Sequence, residues 1–443
     1  MSMSLNQEFT PLKLLRFAAP SIIMMMFMSL YTIIDGMFVS RFVGSNALSA
    51  TNIVYPVVNI MIAIATMMAT GGNAIISKYL GEGKKEKANQ LFSMLVLVSV
   101  LCGVGLAVLG LSFLRPIASA LGAQGQMLED SVAYGRIILI AIPAFILQYE
   151  FQCLFATAQK PKLGLYVTVA AGLTNVVLDA VFVAVFSWGV EGAAAATALS
   201  QGVGGILPLL YFGRANSSLL KLTKLKFDGK ALLKTCTNGS SELMSNISAS
   251  IVSMLYNMQL LTYAGEDGVA AYGVLMYVNL VFQAVFLGYS VGTAPVISYH
   301  DGAKNHVELK GLFRKSLAIL TVCAVAMFAS ALLLAQPLSV LFVGYDPELL
   351  AITLRAFSIY SFSFLFSGFA VFGSSFFTAL NDGLVSAFIS FLRILVFQVI
   401  LVLIFPLIWQ LDGIWLSIVA AEMLAVLVTA GFIIQKRKKY HYA

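Results

Sequence analysis

Asp35 is the one acid in an apolar run that begins near Leu12. Holding a carboxylate there costs about 2.5–3.5 kcal/mol even on lenient insertion scales. Asp179 stands in a fifth such run and Glu242 at the head of a seventh. Asn175 and Asp179 are four apart and share one helical face. Thr197 falls in a sixth run, within the stretch Ala193 to Ala198, whose alanines let helices approach closely. Two carboxylates, an amide oxygen and a hydroxyl make a donor set for a proton or a small hard cation such as Na⁺. Two acids held close cannot both ionise cheaply, so the pair shares a proton or takes a cation. Such a pair can load on one side of a membrane and unload on the other. Plainer roles are also open: Asp35 capping its helix beside Arg41, and Asp179 in a private hydrogen bond with Asn175.

Glu242 follows Asn238, Gly239, Ser240 and Ser241. It could complement a helix dipole at an N-terminus, or face a cleft as a carboxylate for protons or cationic solutes. Asn246, Tyr256, Asn257 and Gln259 continue from it as a polar stripe. Tyr31, Gln283 and Glu150, the last flanked by Gln148 and Gln152, are further cleft candidates. Arg393 lies inside a span and could neutralise one of the acids, Glu422 among them. Aromatic rings and methionines suit flat hydrophobic cations. With 32 Phe, 17 Tyr and 18 Met, however, most must face lipid or pack helices.

The elements that position these groups are membrane helices. Hydrophobic residues are 60% of the chain and charged residues 11%, against about 25% charged in a soluble domain. Apolar runs long enough to span a bilayer recur throughout, too long and too uniformly apolar for barrel strands. The runs predict an all-α polytopic membrane protein with twelve transmembrane helices, near 12–40, 48–79, 90–113, 132–157, 162–186, 190–213, 236–263, 269–299, 315–336, 350–379, 384–406 and 413–435. The first run is too long for a signal-peptide core and lacks a small-residue cleavage site, so no cleaved leader is expected.

The net charge of +7 is a topology signal rather than a nucleic-acid one. With the N-terminus in the cytoplasm, 22 of the 27 Lys and Arg fall on the inner side, and only Arg41, Arg115, Arg136 and Arg355 on the outer. That asymmetry places both termini inside and suggests contact with anionic membrane lipids. Cys102, Cys153, Cys236 and Cys323 stand singly in apolar contexts, and His300, His306 and His441 lie in or beside basic segments. Neither set has metal-site or disulfide spacing.

The chain also repeats itself. Shifted by 221 residues, Gly71 falls on Gly292, Ser77 on Ser298, Gly81 on Gly302, Trp188 on Trp409 and Gly192 on Gly413. Each half then holds six spans entering from the same side, which relates them by a pseudo-two-fold axis along the membrane normal. The expected organisation is a lobe over 1–213, a basic linker over 214–234 and a second lobe over 235–443. A cleft between two such lobes, opened to alternate sides by rocking, makes a transporter the leading reading. There is no phosphate-binding loop, no metalloprotease motif and no hydrolytic triad, so an ion gradient rather than nucleotide hydrolysis would drive it and no enzyme activity is expected.

In order and spacing the motifs resemble the multidrug and toxic compound extrusion (MATE) family over nearly the whole chain. The residues concerned are Pro20; Asp35-Gly36-Met37-Phe38-Val39; Gly44 with Ala47–Ala50; Pro56; Gly71; Ser77 through Gly81; Asn175-x-x-x-Asp179; Gly189 through Ala194; Thr197; Gly239; Glu242; Gly265; Gly288; Pro295; and Gly413-Ile414-Trp415. The resemblance implies export of cationic or amphipathic drugs in exchange for H⁺ or Na⁺, no other cofactor, and a monomer in the plasma membrane. It also implies a cation site at Asp35, Asn175, Asp179 and Thr197, with Glu242 acting in the second lobe. Some members carry an acid in the tenth span. Here Ser361 to Thr378 has none, and Asp382 lies beyond in a turn, which puts a second-lobe cation site in question. A flippase for lipids or lipid-linked oligosaccharides is the alternative, but its phosphorylated substrate would want a cationic cleft, and span-embedded cations are almost absent. A non-transporting sensor or scaffold would need no paired acids. A major-facilitator transporter would carry D-R-x-G-R-[RK] where this chain reads Gly81-Glu82-Gly83-Lys84-Lys85-Glu86-Lys87.

Overall fold

The computed structural model describes residues 4–38 and 45–442, the side chains of 36–38, 45–50 and 52 excepted. Arg41 and Gly44, and the side chains of Gly36 to Val39 and of Ala47 to Ala50, lie outside the described residues. The helices are α1 (Pro11–Phe38), α2 (Ser45–Gly81), α3 (Lys85–Ala120), α4 (Gly125–Thr157), α5 (Pro161–Asp179), α6 (Gly189–Gly213), α7 (Gly229–Asn238), α8 (Ser240–Gly302), α9 (His306–Val343), α10 (Pro347–Tyr360), α11 (Phe364–Ala379), α12 (Gly383–Phe391) and α13 (Phe397–Tyr440). α5 runs on through a π-helical turn, Ala180–Val185, and a second π turn, Leu392–Val396, joins α12 to α13. Among the described residues, ten continuous helical stretches are long and apolar enough to cross a bilayer. Two of these are double. α8 breaks at Gly265 (φ 62°, ψ −149°) and α13 at Gln410 (φ 50°, ψ −129°), and each break separates two helices across a kink. Read across those breaks, the protein is an all-α multi-pass membrane protein with twelve crossings in two six-helix lobes.

Several boundaries differ from the sequence expectation. The helices overrun the apolar runs by up to a few turns, because amide hydrogen bonds continue past the last lipid-facing residue. The seventh span begins only at Ser240; the residues before it form the separate helix α7. Residues 214–228 lie along the first lobe. Leu220 is buried among Phe92, Phe151 and Phe212, and the Lys221 and Thr223 amides donate to Asn89 and Ser93 at 3.0 and 2.8 Å.

The lobes meet mainly where α1 and α2 cross the two arms of α8. Small residues let the backbones touch there. A Cβ on Gly81 would sit 2.0 Å from the Tyr299 carbonyl oxygen, and one on Gly302 would sit 2.3 Å from that of Lys78. Each of these two contacts is the other shifted by 221 residues. Asn59 donates to Ser250 at 2.6 Å, and Ser29 donates to the Leu280 carbonyl at 3.4 Å. The same shift relates that pair too. A two-fold relation makes paired contacts reciprocal, and these are. Nearer the face that carries the lysine clusters, called the basic face below, Lys78 pairs with Asp301 at 2.8 Å. Residues before α1 also cross between the lobes: Leu5 and Phe9 are buried with Leu309, Phe313 and Tyr442, and the Phe9 amide donates to Glu308 at 3.0 Å.

Candidate functional site

The first lobe gathers the predicted constellation in the half away from the basic face. Asp35 lies one turn from the end of α1, Asp179 where α5 passes into its π turn, and Thr197 two turns into α6. Asn175 and Asp179 are 1% and 0% exposed. The Asn175 amide donates to the Thr197 hydroxyl at 3.5 Å. The Asp35 carboxyl is close enough to Asp179 and Asn175 to interact with both. Even so, both Asp179 oxygens, the Asn175 carbonyl oxygen and one Asp35 oxygen are buried with no hydrogen-bond partner. Unsatisfied buried oxygens are costly, and four converging on one place fit a proton or a small cation. The π turn matters locally. It offsets the helical register just after Asp179, and such turns are frequent at working sites.

Two tyrosines complete the surroundings. Tyr31 is within electrostatic reach of Asp35 and pairs with Gln148. Tyr134 on α4 faces both Asp35 and Asp179. Tyr134 was missed by the sequence reading: it comes from a third helix, and nothing in its neighbourhood marks which way it points. Phe27 and Tyr31 can lie against α5 because position 172 is glycine; a Cβ there would be 2.4 Å from the Phe27 ring.

Other candidates are dispersed. Glu150 is 1% exposed inside the first lobe, with both oxygens unpartnered, near Ser99 and Cys153. Tyr256 is buried within the second lobe, its hydroxyl between Gln398 at 2.5 Å and Ser417 at 2.8 Å. Asn257 and Gln283 are half-buried. The polar stripe divides: Asn246 turns to Thr66 of the first lobe, and Tyr256 turns inward. Glu242 lines a cavity of about 40 Å³ at the lobe interface, together with Thr70, Asn73, Cys153, Ser290 and Thr378. Arg393 holds Glu422 through contacts of 2.9 to 3.1 Å, both side chains nearly buried.

The MatE family model matches twice, over residues 20–181 and again over 243–404. The chain belongs to the MatE family. The two matched segments fall one in each half of the chain, and as a member it is a membrane transporter rather than an enzyme. Among similar proteins, the multidrug export protein MepA of Staphylococcus haemolyticus is 25% identical over 366 residues, 80% of each chain. The MepA of Staphylococcus saprophyticus is 23% identical over a similar share. A solved structure of a MATE protein in complex with MaL6 superposes with a TM-score of 0.93 at 23% identity, covering 99% of this chain and 98% of that one. A multidrug resistance MATE transporter in an outward-facing conformation matches equally well, with a TM-score of 0.93.

Proposed function

We propose that this MatE protein exports cationic and amphipathic drugs across the plasma membrane in exchange for H⁺ or Na⁺. The observation that carries the reading is the Asp35–Asp179 pair inside the first lobe, in which both Asp179 oxygens and one Asp35 oxygen are buried without a partner. A bound proton or Na⁺ removes the repulsion there and stabilises one arrangement of α1 against α5. Drug and ion couple if they favour different arrangements. The proteins named MepA are multidrug exporters, which supports drugs as the cargo. The lobes are joined from Asn59 to the basic face, as expected of an outward-open state if the basic face is cytoplasmic. One chain holds both lobes, so a monomer suffices. The boundaries 1–213, 214–234 and 235–443 mark the rocking units and the segment between them. Against a flippase, the span-embedded guanidinium of Arg393 is already neutralised by Glu422.

The test is efflux of a fluorescent lipophilic cation from proteoliposomes under separately imposed pH and sodium gradients. Asp35→Asn and Asp179→Asn should each lower gradient-driven efflux by about 5- to 150-fold, the usual range of site-to-site coupling. Efflux undiminished in both variants would sink the mechanism.

A further inference from the structure

The residues before α1 are built as a hook. Pro11 opens α1, and a residue before proline is pushed out of the helical region. The chain therefore leaves the helix at Thr10, whose hydroxyl accepts from the Lys13 amide at 3.3 Å. At the hook's other end, Gln159 in the turn between α4 and α5 donates to the Ser4 hydroxyl at 3.4 Å. Both ends sit on the first lobe. The middle does not. Leu5 and Phe9, 0% and 1% exposed, join the buried cluster that holds Leu309, Leu312 and Phe313 of α9. The Phe9 amide donates to Glu308, which also accepts from Lys315 at 3.4 Å.

The first lobe is gripped in the same place. Shifted by 221 residues, Leu309, Leu312 and Phe313 become Ala88, Leu91 and Phe92 of α3. These share a buried cluster with Leu220 of the linker and Ala231 of α7. Asn89 and Ser93, on the same turns of α3, accept the linker amides. The residues that lead into each lobe thus dock on the matching helix of the opposite one. The docking surfaces are repeat equivalents, although the segments that occupy them differ in sequence. The two grips also differ in kind. The linker is covalently bound to both lobes and can follow either. Residues 4–10 reach the second lobe by non-covalent contact alone, so a motion that parts the lobes at the basic face has to pull them out.

We propose that residues 4–10 are a latch: plugged into α9, they hold the lobes joined at the basic face, and they withdraw when that face opens. Withdrawal exposes Leu5 and Phe9 to water, which disfavours the open state. It also takes from the Glu308 carboxylate, 7% exposed, its backbone donor. Docking therefore weights one end of the alternating cycle. The latch lies at the basic face and the Asp35–Asp179 pair in the half away from it, so the latch sets how often the basic face opens without touching the ion site.

The proposal rests on lobes that rock, and the experiment separates the two. Spin labels go on Lys85→Cys and Val307→Cys, exposed positions at the starts of α3 and α9, with the four native cysteines replaced by Ala. Dipolar distances are measured in nanodiscs across pH steps, with and without sodium and tetraphenylphosphonium. The parent should show a short and a long distance whose proportions change with conditions. Leu5→Ala/Phe9→Ala should raise the long-to-short ratio by about fivefold or more, the lower edge of measured coupling between sites. Glu308→Ala, which removes only the acceptor, should move it the same way. Hydrogen exchange on the wild-type chain needs no variant: the amides of residues 5–9 should lose protection in the conditions that favour the long distance. A ratio unmoved by both variants, or a hook that stays protected while the face opens, overturns the latch and leaves the transport reading standing. A single distance under every condition takes down the rocking lobes and the latch with them.

Discussion

Gly172 and Arg393 occupy the same place in the two repeats and do opposite things. In the first lobe the missing side chain admits Phe27 and Tyr31, which brings α1 onto α5 and Asp35 to Asp179. In the second the longest cationic side chain fills the site and pairs with Glu422. Gly172→Ala should therefore push the Phe27 and Tyr31 rings outward. Overpacking of this kind costs about 1–3 kcal/mol, and it should part the two acids. The expected result is a lower melting temperature in detergent together with weakened gradient-driven efflux. Efflux unchanged would mean the α1–α5 distance does not matter to coupling. The acids, Asn175 and Thr197 were legible in the sequence because an acid inside an apolar run is conspicuous and the i, i+4 spacing sets the face. The partner of Arg393 was not legible. Several acids were available, and which one it meets depends on how α12 and α13 rotate about their axes, which a pattern apolar all round leaves open.

At the scale of elements, twelve crossings were readable from hydropathy, since a bilayer demands long apolar runs. Helix ends and the single-residue breaks were not, because helices run past the lipid and Gln410 takes a backbone conformation that favours glycine. Its repeat equivalent, Gly189, is a glycine with φ 61°. Composition marks the linker as basic and polar; its docking on α3 pairs the backbone amides of Lys221 and Thr223 with Asn89 and Ser93, and backbone amides leave no mark in a sequence. The far end of the chain is docked as well. Asp382, in the turn between α11 and α12, accepts from the Tyr440 hydroxyl at 2.7 Å, with Lys439 and Lys436 at 3.4 and 3.6 Å. Burial pushes the Asp382 carboxyl up, but the hydroxyl and the two ammonium groups outweigh it and hold the carboxyl below its ordinary range. With its pKa depressed on folding, the stability Asp382 contributes is fully present above the unfolded carboxylate value, about 4. It is lost as pH falls through the lower folded value. Asp382→Asn should lower the melting temperature at pH 7 and leave it nearly unchanged under strongly acid conditions. A destabilisation equal at both pH values would show that the charge of Asp382 is not what docks the C-terminal residues.

For the whole molecule, the question is what holds the lobes together at the basic face and what would let them part. Gly71 and Gly239 meet where α2 crosses the junction of α7 and α8: a Cβ on Gly71 would come 2.0 Å from the Thr235 carbonyl oxygen, and one on Gly239 would come 1.9 Å from that of Met67. The repeat counterpart is looser, with Gly292 against Ala18 at 2.9 Å. The tight crossing is therefore the more sensitive half of the seal. Neither carbonyl belongs to a movable side chain, so Gly239→Ala must separate the helices or twist them. Separation at this level opens the cavity that Glu242 and Cys153 line, and Cys153, 6% exposed, becomes a built-in reporter. In a background with Cys102, Cys236 and Cys323 replaced by Ala, Gly239→Ala should raise the rate of Cys153 modification by a membrane-impermeant thiol reagent added from the basic face. Gly292→Ala should raise it less. Drug efflux should fall in the same order, since a seal that no longer closes shifts the population away from the state joined at the basic face. If Cys153 labelled no faster in Gly239→Ala than in its parent, the glycine crossing would be ordinary packing and the gate would have to lie elsewhere between the lobes.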